Sequence, residues 1–202
     1  YCQQKYDKLL IEAYNEKGTL FREQGKFEDA IDCYQESHKI SKKSNDLIWA
    51  TDNLQDMGVA YYLQGDLDQA QLVSIQAQHL AEQKKSPHLA GRARRTLANI
   101  LFHQEKYKES IETALLSCIN ILEIDQYSLN NSPAMRELLI EEWLTWLTED
   151  LLEEIQDISL RKGQCQYLLN YWRESKANDR ALVDHYPGFI ITLEELLSES
   201  RV

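Results

Sequence analysis

The stretch Gln24-Gly25-Lys26-Phe27-Glu28-Asp29-Ala30-Ile31 returns 40 residues later as Gln64-Gly65-Asp66-Leu67-Asp68-Gln69-Ala70-Gln71. It returns again as Gln104-Glu105-Lys106-Tyr107-Lys108-Glu109-Ser110-Ile111. The same step links Gly18, Gly58 and Ala98, and also Phe21, Tyr61 and Leu101. A fixed period of this size means stacked supersecondary units, each too small to bury its own apolar face. It directs the functional question toward binding surfaces rather than catalysis.

Between these punctuation points the apolar residues fall at helical spacing. Leu9, Ala13, Leu20 and Phe21 mark one face, and Phe27, Ala30, Ile31, Tyr34 and Ile40 mark the next. Met57, Ala60 and Tyr61, then Leu67, Ala70 and Leu80, do the same in the second unit. Ala93, Leu97, Ile100 and Leu101, then Tyr107, Ile111, Ala114 and Leu115, follow in the third. Each unit therefore reads as two antiparallel helices joined by a tight turn at Gly25, Gly65 or Glu105. Glycine suits a turn after a helix because it enters the left-handed region without a Cβ penalty. Small residues at 18, 58 and 98, and at 30, 70 and 110, let the paired helices approach closely. No segment shows the sustained period-two alternation of a strand.

The spacing of Tyr14, Gly18, Phe21, Gly25 and Ala30 resembles the tetratricopeptide repeat family, as does that of Leu54, Gly58, Tyr61, Gly65 and Ala70. The third unit departs from the pattern, with Arg94, Ala98, Leu101, Glu105 and Ser110. The resemblance spans about residues 9–124, and its period exceeds the family's common value of about 34. It is therefore similar to the longer repeats of kinesin light chains, cell-polarity adaptors and bacterial peptide-sensing regulators. What it implies is an all-α, right-handed α-solenoid of antiparallel helix pairs, three repeats long over residues 1–124. Residues 125–202 would form a C-terminal helical cap or degenerate repeats.

In that second region Asn130-Asn131-Ser132-Pro133 reads as a turn, with Ser132 as N-cap and Pro133 at the first helical position. A long helix is expected to follow through Trp143, Trp146, Leu151 and Ile158, with Gly163 as its stop. Trp143 and Trp146 lie three apart on one face and read as core. A further helix through Tyr167, Leu168, Tyr171 and Trp172 precedes a Tyr186-Pro187-Gly188 turn and a last helix around 190–197.

The balance of 22 basic against 33 acidic residues excludes a general nucleic-acid or anionic-membrane footprint. No apolar run approaches the roughly 18 residues of a membrane span. Cys2, Cys33, Cys118 and Cys165 show no CxxC pair and no Cys/His ligand spacing, which reads as reduced thiols in a cytoplasmic protein. The five histidines show no metal spacing, and no Gly-rich phosphate loop or GxSxG is present. The expectation is no enzyme, no metal and no cofactor. Tyr1 in place of an initiator methionine makes the chain read as a piece of a longer protein.

The family resemblance implies a concave groove lined by the first helix of each pair. Its positions fall on Glu12, Asn15, Thr19, Arg22 and Glu23, then Asp52, Gln55, Val59, Tyr62 and Leu63. In the third unit they fall on Arg92, Arg95, Asn99, Phe102 and His103. From Leu89 to Gln104 there are three arginines and no acid, a local reversal of the chain's charge. Arg92, Arg95 and Asn99 are spaced to face one way. Arginine offers a planar fork to carboxylates, and asparagine can pin a peptide backbone. The candidate groove residues are thus Asn15, Arg22, Gln55, Tyr62, Arg92, Arg95, Asn99, Phe102 and His103. The expected partner is a protein or peptide, with acidic or C-terminal carboxylate character. Two alternatives stand beside it: an intramolecular regulatory arm docking neighbouring domains, and a receptor for a short signalling peptide. Oligomerisation through the solenoid ends is a further expectation. Two further readings concern the charges: internal pairing of the arginines with the acid-rich stretch 133–159, and those acids as a solvated face.

Overall fold

The computed structural model describes residues 2–122, 141–174 and 187–198. The chain divides into two compact units, Tyr1–Ile124 and Asp125–Val202. The first contains α1 (Cys2–Glu23), α2 (Phe27–Lys43), α3 (Leu47–Gln64), α4 (Leu67–Gln83), α5 (Pro87–His103) and α6 (Tyr107–Leu122). Each helix packs on the next, and the odd-numbered helices touch one another along the stack. This is an α-solenoid of three helix pairs.

Five turns join the six helices, and one left-handed residue closes each of them. Gly25 has φ 73°, Asn45 57°, Gly65 89°, Lys85 52° and Glu105 60°. The next residue in every turn donates its N–H back across the helix end. Lys26 bonds to the Phe21 carbonyl at 2.9 Å and Asp46 to Ser41 at 2.9 Å, while Asp66 to Tyr61, Ser86 to Ala81 and Lys106 to Leu101 are all at 3.0 Å. The left-handed residue adds a second bond, as from Gly65 to Tyr62 at 3.0 Å and Glu105 to Phe102 at 2.9 Å. This is the Schellman arrangement, which satisfies carbonyls the helix leaves over. Two helix starts are sealed from the other side: Asp46 Oδ1 accepts from the Trp49 amide at 3.2 Å, and Asp66 Oδ1 from the Gln69 amide at 3.0 Å. Pro87 opens α5 at a position where its missing N–H costs nothing.

Close approach within each pair rests on size complementarity. A Cβ on Gly18 would lie 2.7 Å from Tyr34 Cε1, and one on Gly58 would lie 2.7 Å from Ser74 Oγ. The repeat register then sets Ala98 opposite Ala114, so a larger inner residue is matched by a smaller outer one. Buried serines add a polar tie: Ser37 Oγ donates to the Ile11 carbonyl and Ser117 Oγ to the Gly91 carbonyl, both at 2.9 Å. The core of this unit includes Ala30, Ile31, Tyr34, Leu54, Met57, Ala60, Val73, Ala77 and Ala93.

One apolar set behaves differently from expectation. Leu9 is 56% exposed, Leu20 58%, and Ala13 is exposed as well. The side of α1 that packs inward carries Ile11 and Gly18 instead. Helical spacing identifies a stripe but not whether a neighbour covers it.

In the second unit, helical residues 141–145 run into a π-helix, Trp146–Leu152, followed by α7 (Ile158–Glu174) and α8 (Pro187–Ser198). Trp143 and Trp146 are buried with ring centroids 6.4 Å apart, beside buried Leu147, Leu151 and Leu152. Gly163 does not stop a helix; it lies exposed inside α7. The break falls earlier, at 153–157, where Asp157 Oδ1 accepts from the Leu160 amide at 3.0 Å and caps α7. Pro187 starts α8. The Asn130–Pro133 turn, Tyr186 and the side chain of Trp172 lie outside the described residues.

Three variants test these geometries. Glu105→Gly relieves a left-handed non-glycine residue on an exposed turn and should raise unfolding free energy by about 0.5–1 kcal/mol. Gly18→Ala presses on a fully buried ring and should lower it by about 1–3 kcal/mol. Gly58→Ala combined with Ser74→Ala, which recreates the third pair, should cost clearly less. Urea unfolding followed by circular dichroism reads all three. Equal losses for the two glycine changes would refute the complementarity.

Candidate groove on the inner helices

The odd-numbered helices of the first unit bring the expected groove residues onto neighbouring elements, but much of their polarity is spent between repeats. Asn15 on α1 donates through Nδ2 to Asp56 Oδ2 at 2.8 Å and to Asn53 Oδ1 at 3.1 Å, both on α3. Arg22 lies 3.8 Å from the same Asp56 carboxylate. Arg92 on α5 bonds to Asp52 on α3 at 2.9 Å. Arg92 therefore has its charge met within the groove by an acid of the preceding repeat. Arg94, out of place by the family pattern, pairs with Glu82 on α4, which explains a cation at a usually apolar position.

The two α3 carboxylates sit between these cations. Burial pushes the Asp56 carboxyl above the ordinary range, against the lowering effects of the Asn15 hydrogen bond and of Arg92 and Arg22. Burial likewise raises Asp52, opposed chiefly by Arg92. Gln55 is buried, with Oε1 lacking a hydrogen-bond partner among the described residues. Arg95 and Asn99 are half-buried on α5, and burial raises the nearby Cys118 thiol to about 12 against the lowering effect of the Arg95 charge. Cys33 and Cys165 are also buried free thiols.

At the C-terminal ends of α3 and α5 the character changes from ionic to aromatic. Tyr62 and His103 stand with ring centroids 5.3 Å apart. Phe102 meets His103 at 6.0 Å and Tyr107 at 5.1 Å, edge to face in both cases. Tyr62, Phe102 and Tyr107 are half-exposed, and His103 and Leu63 are exposed. Rings in this geometry attract beyond their simple area burial. One flank carries a further inter-repeat tie, from Gln104 Nε2 to Gln71 Oε1 at 3.1 Å.

Sequence reading placed Tyr62, Phe102 and His103 in the groove but missed Tyr107, which comes from an outer helix through the tight turn. It also missed Asp56 and Asn53 as partners. For Arg92 a signal was available, since its partner Asp52 lies one full period before it and so shares its register. In the acid-rich stretch, Glu141, Glu142, Glu149, Asp150, Glu153, Glu154 and Asp157 are all exposed. Among the described residues no His/Cys/Asp/Glu group fits a metal ion, and no helix is long and apolar enough to cross a membrane.

The raised Asp56 has a direct consequence for stability. A carboxyl whose folded pKa exceeds its unfolded value stabilises the fold fully below the unfolded pKa, and loses that contribution as pH rises through the folded pKa. Asp56→Asn should therefore be as stable as wild type, or more so, at pH 7. Wild type should gain on it as pH falls through the weakly acidic range. Paired urea titrations between pH 7 and 4 check this, and a gap independent of pH would contradict it.

Residues 9–83 match a family model described as tetratricopeptide repeat. No curated protein matches the chain. Among the similar solved structures are two that both show the nearly identical TPR-like repeats of a Podosopora anserina protein assigned as a kinesin light chain, one of them a point variant. Each has 10% sequence identity and a TM-score of 0.49, covering 92% of this chain and 94% or 93% of the other. At that identity and score the likeness carries no functional weight. The family match and the helix geometry agree on the same segment: residues 9–83, within the first two helix pairs, are tetratricopeptide repeats.

Proposed function

We propose that the first unit is a non-catalytic protein-interaction module that holds a partner segment across its inner helices α1, α3 and α5. The observation that carries this reading is the partly exposed aromatic cluster of Tyr62, Phe102, His103 and Tyr107. Large apolar rings left open to water beside a rigid helical scaffold are the usual composition of a binding hot spot. The scaffold's ordering is already complete, so only the partner segment loses freedom on binding.

The partner places an apolar or aromatic side chain on these rings. Arg95 and Asn99, two turns and one turn before Phe102, take a carboxylate or backbone group of the same segment. Arg92 acts indirectly, since Asp52 holds it. An acidic or C-terminal carboxylate partner is thus recognised at one end of the groove, where α5 carries no acidic residue.

The test compares wild type with Tyr62→Ala/His103→Ala as bait for cell proteins, with circular dichroism confirming equal helicity. Both side chains are at least partly exposed, so the fold should survive. The expected result is loss of the proteins captured by wild type, with affinity reduced about tenfold or more. Arg95→Ala should weaken a captured partner only while its carboxylate is free. Identical capture by wild type and the double variant would overturn the proposal.

A further inference from the structure

The inner face of α3 runs through Asp52, Gln55, Asp56, Val59 and Tyr62, which follow one another at helical spacing. Asp52, Asp56, Val59 and Tyr62 are all partly exposed, whereas Gln55 is only 6% exposed. Gln55 therefore forms the floor of the groove rather than part of the core behind α3. Its burial is uncompensated, since Oε1 has no hydrogen-bond partner among the described residues. A buried amide oxygen without a donor is costly, and such atoms are few in folded proteins. The donors that share its stretch of the groove are committed elsewhere. Asn15 Nδ2 donates to Asp56 and Asn53, Asn53 Nδ2 to the Trp49 carbonyl at 2.6 Å, and Arg92 Nη1 to Asp52. The charges beside it are matched as well: Asp52 meets Arg92 at 2.9 Å and Asp56 meets Arg22 at 3.8 Å. An ion entering this floor would find one like charge for every opposite one. A neutral group that both donates and accepts meets no such opposition.

We infer that Gln55 is a recognition subsite for a primary carboxamide, the side chain of an asparagine or glutamine carried by the partner segment. A primary amide presents N–H and C=O on one edge, so two of them close a ring of two hydrogen bonds. That match holds whichever way the Gln55 amide is turned about its last bond. A carboxylate offers no donor, and an ammonium or guanidinium offers no acceptor. A backbone peptide group holds its N–H and C=O trans, on opposite edges, and can make only one of the two bonds. Because Oε1 makes no hydrogen bond where it lies, turning it toward the groove breaks none. The inference rests on the groove reading above and adds to its chemistry. Tyr62 lies seven residues along α3 from Gln55, a rise of roughly 10 Å. About three residues of an extended segment span that distance. The carboxamide thus stands about three residues from the side chain that packs on the aromatic rings.

The probes are two short peptides, Gln-Ala-Ala-Trp and its reverse Trp-Ala-Ala-Gln, acetylated and capped as N-methylamides so that glutamine carries the only primary amide. Each is titrated into the isotopically labelled full chain while the Gln55 side-chain amide signal is followed. Counterparts carry methionine or glutamate in place of glutamine. The expected result is saturable binding of at least one order, with the Gln55 signal shifting and affinity about tenfold above both counterparts. In Gln55→Leu that preference disappears. The same variant should unfold at an equal or higher urea concentration than wild type, because it removes a buried acceptor that has no donor. A clear loss of stability would show that the amide is already satisfied within the fold and would overturn the inference. So would failure of both orders to saturate, equal or tighter binding of the methionine or glutamate peptides, or a glutamine preference that survives in Gln55→Leu. Peptides that shift Tyr62 without preferring glutamine overturn this inference and leave the groove reading standing. Failure of the groove reading shows separately, in unchanged capture by Tyr62→Ala/His103→Ala.

Discussion

The first unit depends on one left-handed residue every twenty positions. At residues 25, 45, 65, 85 and 105 the chain leaves a helix, crosses the left-handed region once and enters the next helix in the opposite direction. Two backbone hydrogen bonds per turn fix that reversal, so helix length and pair geometry repeat because the turn repeats. Glycine occupies only two of the five positions. Asn45, Lys85 and Glu105 adopt the same conformation without it, at a strain of about 1–2 kcal/mol each. That strain persists because packing on both sides of every turn demands the reversal.

From this constraint the functional surface follows. The turns hold α1, α3 and α5 side by side, which lets charges on one repeat meet charges on the next. Asp56 answers Asn15 and Arg22, and Asp52 answers Arg92. These contacts draw the ionic middle of the groove inward and lock the inner helices to one another. What is left open toward a partner lies at the turn ends, where Tyr62, Phe102 and His103 cluster and the turn brings in Tyr107. The scaffold thus separates polar residues that hold repeats together from aromatic residues suited to recognition.

The sequence made the helix pairs legible because the signals behind them are local. A small residue at 18 or 58, a turn residue at 25 or 65 and an apolar period of 3.6 act within one pair. Helix ends were less legible where the punctuation was polar: the helical stretch breaks at 153–157, where Asp157 caps the next helix, and not at Gly163. Exposure was less legible still. Leu9, Ala13 and Leu20 obey the same period as buried residues on α5, and only the presence or absence of a covering helix separates them. In the groove, periodicity brought Arg92 and Asn15 to the right face, but their state depended on acids a full repeat away. A pattern read within one helix does not report a partner on another.

The central claim is that a partner segment contacts the inner helices at their C-terminal ends. Site-specific photocrosslinking tests it most directly, with a benzophenone side chain placed at position 62 or 103 and, as a control, at exposed position 72 on outer helix α4. The account predicts that a partner crosslinks from 62 and 103 and not from 72, with the attached peptide carrying an apolar or aromatic residue at the linkage. Crosslinking from 72 in preference to 62 and 103 would place recognition on the outer helices and contradict it.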